Sequence, residues 1–528
     1  MRRPPIAAAL VAAALAGALA VHSGRQAGQH LKQLNDPRPV LASAPPVLMP
    51  AQRRLARRVV LVILDGLRAD AARGLPALDA LRARGVDAVA HSHFPTISAP
   101  NYVSILAGVP PRDSGVRTND YVGPVPLDNL FARARAAGLS SSYITHLSDV
   151  VPDLFPDMDN ATLAPWPGKA VAAARAAIAR GTELVVFLHN APDEAGHAHG
   201  AASRAYRDAV AQADRDLAKL VADLDLDQDA VIVTADHGHT DSGGHGGTEP
   251  EVVKVPLVLA GAGIAPGAVI EDPELIDVAP TVAALLGISA PGHALGRTLV
   301  AALATPERPA LALGDHERQA LLLPLATEFS NTRGAAVESL RRLRALALLA
   351  TTLGFIVLLV WAKRSGAVIL DVRVGIAGVL PVPLVFLAFA AVLGRLTPSA
   401  IAGQPNAVAA HALVAAALAI AAHPLFTLAA FLGRRRGDRL GAAAGAALLG
   451  TLVALVCAGG TWAAGGDTLA ETFFQPADVI VPPLAQMAAA VQSAGAVIVL
   501  AVEGIIFWAS APRRRPLAPP FPAVSGAR

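Results

Sequence analysis

The sequence predicts an α/β domain built on a mainly parallel sheet flanked by helices, followed by an α-helical transmembrane bundle. Two observations support this fold class. Apolar, β-branched runs alternate with helical stretches between residues 57 and 305, an order typical of a parallel sheet with helices on its faces. Long apolar segments then crowd the last third of the chain. With 53% hydrophobic and 16% charged residues, the 528-residue chain is too apolar for a purely soluble protein.

Residues 1–22 are predicted as a transmembrane anchor or a signal peptide. They contain an apolar run at 6–21 whose length suits either role. The Ala-Leu-Ala sequence at 18–20 fits the cleavage pattern of signal peptides. The next stretch, 23–56, is polar and rich in proline. We therefore expect it to be a linker between the membrane and the domain at 57–305.

Four apolar runs of this domain are predicted as strands. The first has no polar interruption, as expected for a strand that is buried on both faces. The runs are Val59–Leu64, Leu184–Leu188, Val231–Thr234 and Val255–Ala260. Stretches rich in alanine, leucine and arginine lie between them and have helical periodicity. These stretches are 75–85, 128–138, 168–180 and 203–223.

Acidic and imidazole side chains follow three of the predicted strands. They are Asp65 after the first run, Asp193 and His197 after the second, and Asp236 and His237 after the third. Ligands gather beyond the carboxyl ends of strands in open α/β sheets. Taken singly, each segment is equally compatible with a turn or a solvated loop. Their coincidence at three strand ends indicates a metal site, with His245 close behind as a further ligand.

Mixed aspartate and histidine ligation without cysteine favours Zn²⁺, with Mn²⁺ as the alternative. Two such ions about 3.5–4 Å apart can hold the attacking and leaving oxygens of a phosphoryl transfer. The segment Pro-Thr-Ile-Ser-Ala-Pro-Asn at 95–101 offers a nucleophilic hydroxyl. Ser98 is preferred because it precedes a predicted helix whose N-terminus would favour an anionic phosphate, and Thr96 is the alternative. Asn101 would donate to a phosphoryl oxygen or cap the helix.

The order Asp, hydroxyl, Asp-x-x-x-His, Asp-His, His resembles the alkaline phosphatase superfamily. Segment 95–101 resembles an element of the type I phosphodiesterase/nucleotide pyrophosphatases. Segment 235–246 resembles the equivalent stretch of the membrane-bound glycosylphosphatidylinositol (GPI) ethanolamine phosphate transferases. Only seven residues separate His237 from His245, whereas nucleotide pyrophosphatases carry a long insertion there. The short spacing favours the transferase-like relatives.

The resemblance implies an alkaline-phosphatase-like fold at 57–305 and a phosphorylated Ser98 during turnover. It also implies that Asn101 steadies a phosphoryl oxygen. Two metal sites are implied, one held by Asp65, Ser98, Asp236 and His237, and the other by Asp193, His197 and His245.

The membrane part is predicted to consist of a juxtamembrane segment at 306–342, a five-span bundle at 343–511 and a cytoplasmic tail at 512–528. Its apolar windows each approach the length of about 20 residues that a spanning helix needs. The windows are 345–361, 374–394, 407–432, 440–464 and 485–509. His411, His423 and Glu503 are ionisable groups within these spans, which suggests function unless they reach the interface.

Basic residues near the span ends predict the orientation. If six helices alternate, most clusters fall on one side, which places the domain at 57–305 outside the cytoplasm of a multi-pass membrane protein. These clusters include 363–364, 434–436 and 513–515, and the one conflict is the group at 341–344. The net charge of +3 belongs mostly to these loops. It therefore gives no indication of a nucleic-acid polymer as partner, and the oligomeric state is not predicted.

Three activities are compatible with the sequence. The first is phosphoester hydrolysis of the phosphodiesterase or pyrophosphatase type, through a phosphorylated Ser98. The alternative is phosphoethanolamine-type transfer to a lipid or glycolipid head group. Sulfatase-like hydrolysis is a further alternative, but its Cys/Ser-x-Pro-x-Arg motif lacks the arginine here, because Asn101 and Tyr102 follow Pro100. A degenerate, non-enzymatic domain is disfavoured because every expected ligand is retained.

Overall fold

A computed structural model describes residues 4–34, 41, 44–147, 150–380, 399, 417, 425, 427, 431–464 and 476–509. Within these residues, seven strands form one sheet in the first half of the chain. They are β1 (Arg58–Leu64), β2 (Gly85–His91), β3 (Ser141–Thr145), β4 (Asn160–Leu163), β5 (Leu184–His189), β6 (Asp229–Thr234) and β7 (Lys254–Gly261).

The sheet is mainly parallel, as predicted. β1 lies at its centre and pairs in parallel with β5 on one side and β6 on the other. β3 and β4 continue the parallel order beyond β5. β7 pairs antiparallel with both β6 and β2, so the strand order is β2-β7-β6-β1-β5-β3-β4.

The four strands predicted from apolar runs all form. β1, β5 and β6 are buried along their whole length, which accounts for their unbroken apolar sequences. Sequence reasoning missed β2, β3 and β4. β3 reads Ser-Ser-Tyr-Ile-Thr and β4 reads Asn-Ala-Thr-Leu, so neither offers the continuous apolar run on which the prediction relied.

Helices flank this sheet, and the four predicted helical stretches form as α2, α5, α7 and α9. The helices that precede the membrane part are α1 (Pro4–Leu34), α2 (Pro76–Arg82), α3 (Ser98–Ala107), α4 (Pro111–Ser114), α5 (Leu130–Ala136), α6 (Val150–Leu154), α7 (Pro167–Ala179), α8 (Ala191–His199), α9 (Arg204–Val221), α10 (Pro250–Val253) and α11 (Val278–Leu286). Short 3₁₀ helices occur at Leu275–Asp277 and Val300–Ala302.

The carboxyl ends of β1, β5 and β6 meet at one edge of the sheet. Leu64 in β1 is in register with His189 in β5, and Ile63 is in register with Thr234 in β6. Parallel strands run in the same direction, so the residues that follow these positions emerge side by side. This register brings the predicted ligand segments together.

Four helices of the described residues are long and apolar enough to cross a membrane. The first of them lies in α1. The other three lie in α12 (Arg308–Arg364), α14 (Arg436–Ala464) and α15 (Pro476–Ala509), and the shorter helix α13 (Val372–Val379) lies between α12 and α14 in the sequence. Alanine-rich faces of these helices pack into a hydrophobic core separate from that of the sheet. Small side chains allow such close helix packing.

Two helix boundaries differ from the predicted segments. α1 continues beyond the apolar run at 6–21 into the predicted linker at 23–56. α12 runs without interruption through the predicted juxtamembrane segment at 306–342 and into the predicted span at 345–361. Both stretches are polar enough to have been predicted as connections, although their backbones are helical.

Parts of the predicted membrane bundle fall outside the described residues. These parts are most of the spans at 374–394 and 407–432, including His411 and His423, and the tail at 512–528. Glu503 is described and lies buried in α15. Its predicted functional role stays a prediction.

Candidate metal and phosphoryl-transfer site

Asp65 directly follows β1 and is buried. Its Oδ2 accepts hydrogen bonds from Tyr102 Oη at 2.6 Å and from Asn190 Nδ2 at 2.9 Å. Its Oδ1 is buried and has no hydrogen-bond partner among the described residues. Sequence reasoning missed Tyr102 and Asn190. Their positions in the sequence could have indicated them, because Tyr102 lies one helical turn after Ser98 and Asn190 directly follows β5.

Asp236 and His237 follow β6 and face Asp65. Asp236 Oδ1 accepts a hydrogen bond from the Gly66 N–H at 3.2 Å, whereas Oδ2 is buried and, within the part of the chain that the structure describes, has no hydrogen-bond partner. His237 donates its Nδ1–H to the Gly238 carbonyl at 3.1 Å, so Nε2 carries the lone pair. This Nε2 lies 3.3 Å from Asp236 Oδ2 and 3.6 Å from Asp65 Oδ1. A cation would satisfy these three converging acceptor atoms.

Ser98 is the hydroxyl that faces this cluster. It opens α3, is partly exposed, and places its Oγ 3.3 Å from His237 Nε2. The alternative nucleophile, Thr96, is fully buried. Thr96 Oγ1 donates to the Gly247 carbonyl at 2.8 Å and accepts from the Gly246 N–H at 2.9 Å. The Thr96 hydroxyl therefore holds the glycine-rich loop, and the geometry favours Ser98.

The second predicted ligand set lies beside the first. Asp193 and His197 stand one turn apart on α8, and His197 Nε2 lies 3.6 Å from Asp193 Oδ1. His245 Nε2 lies 3.0 Å from His197 Nε2 and 3.7 Å from the same Asp193 oxygen. His245 donates its Nδ1–H to the Thr96 carbonyl at 2.8 Å, which leaves Nε2 free to ligate. The rings of His237 and His245 stack 3.7 Å apart, so the two ligand sets adjoin.

The Asn101 side chain makes its hydrogen bonds within its own loop. Its Nδ2 donates to three carbonyls in the segment 93–97, and its Oδ1 accepts a backbone N–H from the same segment. The amide is fully buried and paired at both ends. The expected contact with a phosphoryl oxygen would require some of these hydrogen bonds to break, and it stays a prediction. Sequence reasoning did not single out Asn119, an exposed residue whose Oδ1 accepts a hydrogen bond at 2.9 Å from the N–H of Ala99, the neighbour of Ser98.

The protonation states of the site fit divalent cations. Burial, together with the charges of Asp236 and Asp193, raises the pKa of Asp65 well above its usual value. Burial and the Asp193 charge raise the pKa of Asp236 to about 7. Burial lowers the pKa of His237 to about 3 and that of His245 well below its usual value. Neutral imidazoles and carboxylates that need a positive charge are the donor set of Zn²⁺ or Mn²⁺ sites.

We expect Zn²⁺ to bind more weakly as the pH falls. A carboxyl group whose pKa is about 7 takes up a proton below that pH, and the proton competes with the metal. The affinity should drop up to about tenfold per pH unit between about pH 7 and pH 5.5 for one displaced proton. Competition titrations with a chelator on the full-length protein in detergent would measure this. A flat profile over that range would contradict the Asp236 assignment.

The sequence of this part of the chain is similar to those of known proteins. Residues 59–250 match the family model of type I phosphodiesterase/nucleotide pyrophosphatase. Over 300 residues, the chain is 30% identical to GPI ethanolamine phosphate transferase 1 of Mus musculus, a match that covers 46% of this chain and 32% of the transferase. Over 132 residues, it is 35% identical to the 2,3-bisphosphoglycerate-independent phosphoglycerate mutase of Roseobacter denitrificans, covering 24% of this chain and 25% of the mutase.

The matched region spans about a third or less of the length of these curated relatives. Among solved structures, murine ectonucleotide pyrophosphatase/phosphodiesterase 5 aligns with a TM-score of 0.39 at 16% identity, over 44% of this chain and 96% of that chain. Residues 59–250 of this chain are therefore similar to the type I phosphodiesterase/nucleotide pyrophosphatase family, and GPI ethanolamine phosphate transferase 1 is among the sequence relatives of the chain.

Proposed function

We propose that this protein is a metal-dependent phosphoester enzyme that forms a covalent intermediate on Ser98. One observation carries the proposal: Ser98 Oγ lies 3.3 Å from His237 Nε2, where the unpaired oxygens of Asp65 and Asp236 converge. Two divalent cations, Zn²⁺ or alternatively Mn²⁺, would stabilise charge on the phosphoryl oxygens and lower the pKa of the serine hydroxyl. The proposed ligands are Asp65, Ser98, Asp236 and His237 for one ion and Asp193, His197 and His245 for the other.

The proposed reaction has two steps, and Ser98 is the nucleophile of the first. Ser98 Oγ attacks phosphorus, the bond from phosphorus to the leaving oxygen breaks, and that oxygen takes up a proton from solvent while the serine proton is released. Water or an alcohol then attacks phosphorus and frees Ser98. Tyr102 and Asn190 fix the orientation of Asp65 through its Oδ2. Thr96 holds the loop that carries His245.

Phosphoethanolamine-type transfer to a lipid or glycolipid head group is the second candidate. Several curated relatives are GPI ethanolamine phosphate transferases of mammals and fungi. A contact from the hydrophobic third of the chain also favours it. Ser399 Oγ accepts from the Gly247 N–H at 2.8 Å and donates to Glu249 Oε2 at 2.8 Å. Ser399 lies between the predicted spans at 374–394 and 407–432, so its contact with the loop that carries His245 supports access to the site from a membrane surface.

Turnover by the full-length protein in detergent or vesicles would test the proposal. Phosphodiester, phosphomonoester and sulfate ester probes would be offered with Zn²⁺, with Mn²⁺ and with a chelator. Phosphatidylethanolamine would be offered with and without a lipid alcohol. Hydrolysis with water alone supports a phosphoester hydrolase of the phosphodiesterase or pyrophosphatase type, and product formation only with the lipid alcohol supports the transferase. Metal-independent turnover, or turnover of sulfate esters alone, would overturn the phosphoester proposal.

We also propose that the domain at 57–305 lies outside the cytoplasm. The support is the clustering of arginine and lysine in one alternate set of loops next to the apolar spans. Arg180 is an exposed residue of this domain at the end of α7. In a Cys457→Ser background, Arg180→Cys should react with a membrane-impermeant maleimide on intact cells. Labelling only after lysis would place the domain in the cytoplasm instead.

A further inference from the structure

His239 lies between the two ligand sets, yet its hydrogen bonds differ from those of its neighbours. The side chain is fully buried. Its Nδ1 accepts a hydrogen bond from the Gly244 N–H at 3.2 Å. A neutral imidazole that accepts through Nδ1 carries its proton on Nε2. That Nε2 lies 2.7 Å from Asp193 Oδ1, so it donates to the carboxylate.

This proton assignment is the opposite of that of the two buried ligand histidines. His237 and His245 both donate Nδ1–H to backbone carbonyls and present bare Nε2 atoms. By distance alone, His239 would count as a ligand, since it shares a compact group with Asp193, His237 and His245. Its Nε2–H and its occupied Nδ1 leave it no lone pair for a metal.

The surrounding chain leaves room for this ring. A Cβ atom at Gly196 would lie 2.6 Å from His239 Cδ2. A Cβ atom at Gly66 would lie 3.0 Å from the same carbon and 2.8 Å from Asp193 Cα. Gly66 also has a φ of 71°, which disfavours any other residue. Gly66 follows the proposed ligand Asp65, and Gly196 precedes the proposed ligand His197. The absence of a side chain at these two positions makes space for the imidazole of His239.

We infer that His239 is a positioning residue that holds Asp193 in its ligating orientation and thereby sets the affinity of the second metal ion. The inference rests on the proposed metal site. The hydrogen bond from His239 to Asp193 Oδ1 fixes the orientation of this carboxylate. In that orientation Oδ1 lies 3.6 Å from His197 Nε2 and 3.7 Å from His245 Nε2. Consistent with this, burial opposes ionisation of Asp193, but the His239 hydrogen bond and the neighbouring histidines lower its pKa overall.

Zn²⁺ titration of the full-length protein against a competing chelator tests the inference. We expect two Zn²⁺ per chain in the wild type. In His239→Ala, one of the two affinities, that of the site held by Asp193, should fall about 10- to 100-fold, the loss usual when a hydrogen-bond partner of a metal ligand is removed. His199→Ala is the matched control, because His199 is an exposed histidine on the same helix as Asp193. It should leave both affinities unchanged.

Two amide variants separate positioning from direct ligation and from general misfolding. His239→Gln can place a donor N–H near the former Nε2, whereas the shorter side chain of His239→Asn cannot reach it. The glutamine variant should therefore recover much of the affinity and the asparagine variant should not. Equal affinities in the two variants, or an unchanged second affinity in His239→Ala, would overturn the inference while leaving the metal site intact. A wild type that binds neither Zn²⁺ nor Mn²⁺ would overturn the proposed function itself.

Discussion

Ser98→Ala is expected to lower phosphoester turnover by about a thousandfold or more, because loss of an attacking nucleophile removes the first half-reaction. The folded structure should persist, since Ser98 is partly exposed and its hydroxyl contacts only His237 Nε2 among the described residues. Initial rates on the substrate found for the wild type would measure the loss. Mass spectrometry of acid-quenched wild type should also find the substituted phosphoryl group on Ser98.

Ser104→Ala is the matched control for Ser98. Ser104 lies in the same helix and donates only to backbone carbonyls at Pro100 and Val109, so its replacement should change the rate little. Ser98→Thr keeps a hydroxyl and should retain measurable activity. A Ser98→Ala protein with more than about a tenth of wild-type turnover would eliminate Ser98 as the nucleophile.

Asp236→Asn is expected to abolish binding at the first metal site and to lower turnover at least about a hundredfold. Asparagine keeps the shape of the side chain but removes the negative charge from the oxygen that faces His237. Metal content after gel filtration and initial rates would measure the two losses. Retention of two Zn²⁺ per chain would show that Asp236 is not a ligand.

The same substitution should stabilise the metal-free protein. Burial and the Asp193 charge raise the pKa of Asp236 to about 7 in the folded chain. A raised folded-state pKa contributes stability at low pH that is lost as the pH rises through that value. Above about pH 7, chelator-treated Asp236→Asn should therefore melt at a higher temperature than chelator-treated wild type. Bound Zn²⁺ should reverse the order.

Asp216→Asn provides a control with the opposite sign. Asp216 is also buried, but it is paired with His189 Nε2 at 3.2 Å and Lys219 Nζ at 2.7 Å. Removing its charge breaks satisfied interactions, so this variant should melt at a lower temperature with or without Zn²⁺. Its metal content should match that of the wild type.

Much of the fold followed from local sequence. Unbroken apolar runs predicted the central strands β1, β5 and β6 because strands buried on both faces need apolar residues throughout. The ligand segments followed from their position at strand ends. The polar strands β3 and β4 escaped prediction because their pairing partners, and not their own composition, make them strands.

The assignment of individual polar groups was harder. Thr96, Ser98 and Asn101 occupy one short segment and were all chemically suitable from sequence. Only the folded chain decides between them, because contacts from residues distant in sequence occupy the Thr96 hydroxyl, and bonds within the loop occupy the Asn101 amide. His239 is a further example, because in the sequence it is one more imidazole two residues after His237. Its role depends on a backbone N–H at Gly244, which no side-chain pattern reveals.

The sequence by itself determined the central sheet, the apolar helices and the residue types of the proposed two-metal site, because burial and ligand chemistry act on composition and periodicity. The tertiary structure alone decided which hydroxyl faces the cluster, which imidazole nitrogens are free to ligate, and which carboxylate oxygens remain unpaired. Those properties depend on hydrogen-bond partners brought in from other strands and loops. Asp65 is an example of both. Its position after β1 could be predicted from the sequence, but its hydrogen bonds with Tyr102 and Asn190 form only in the folded chain.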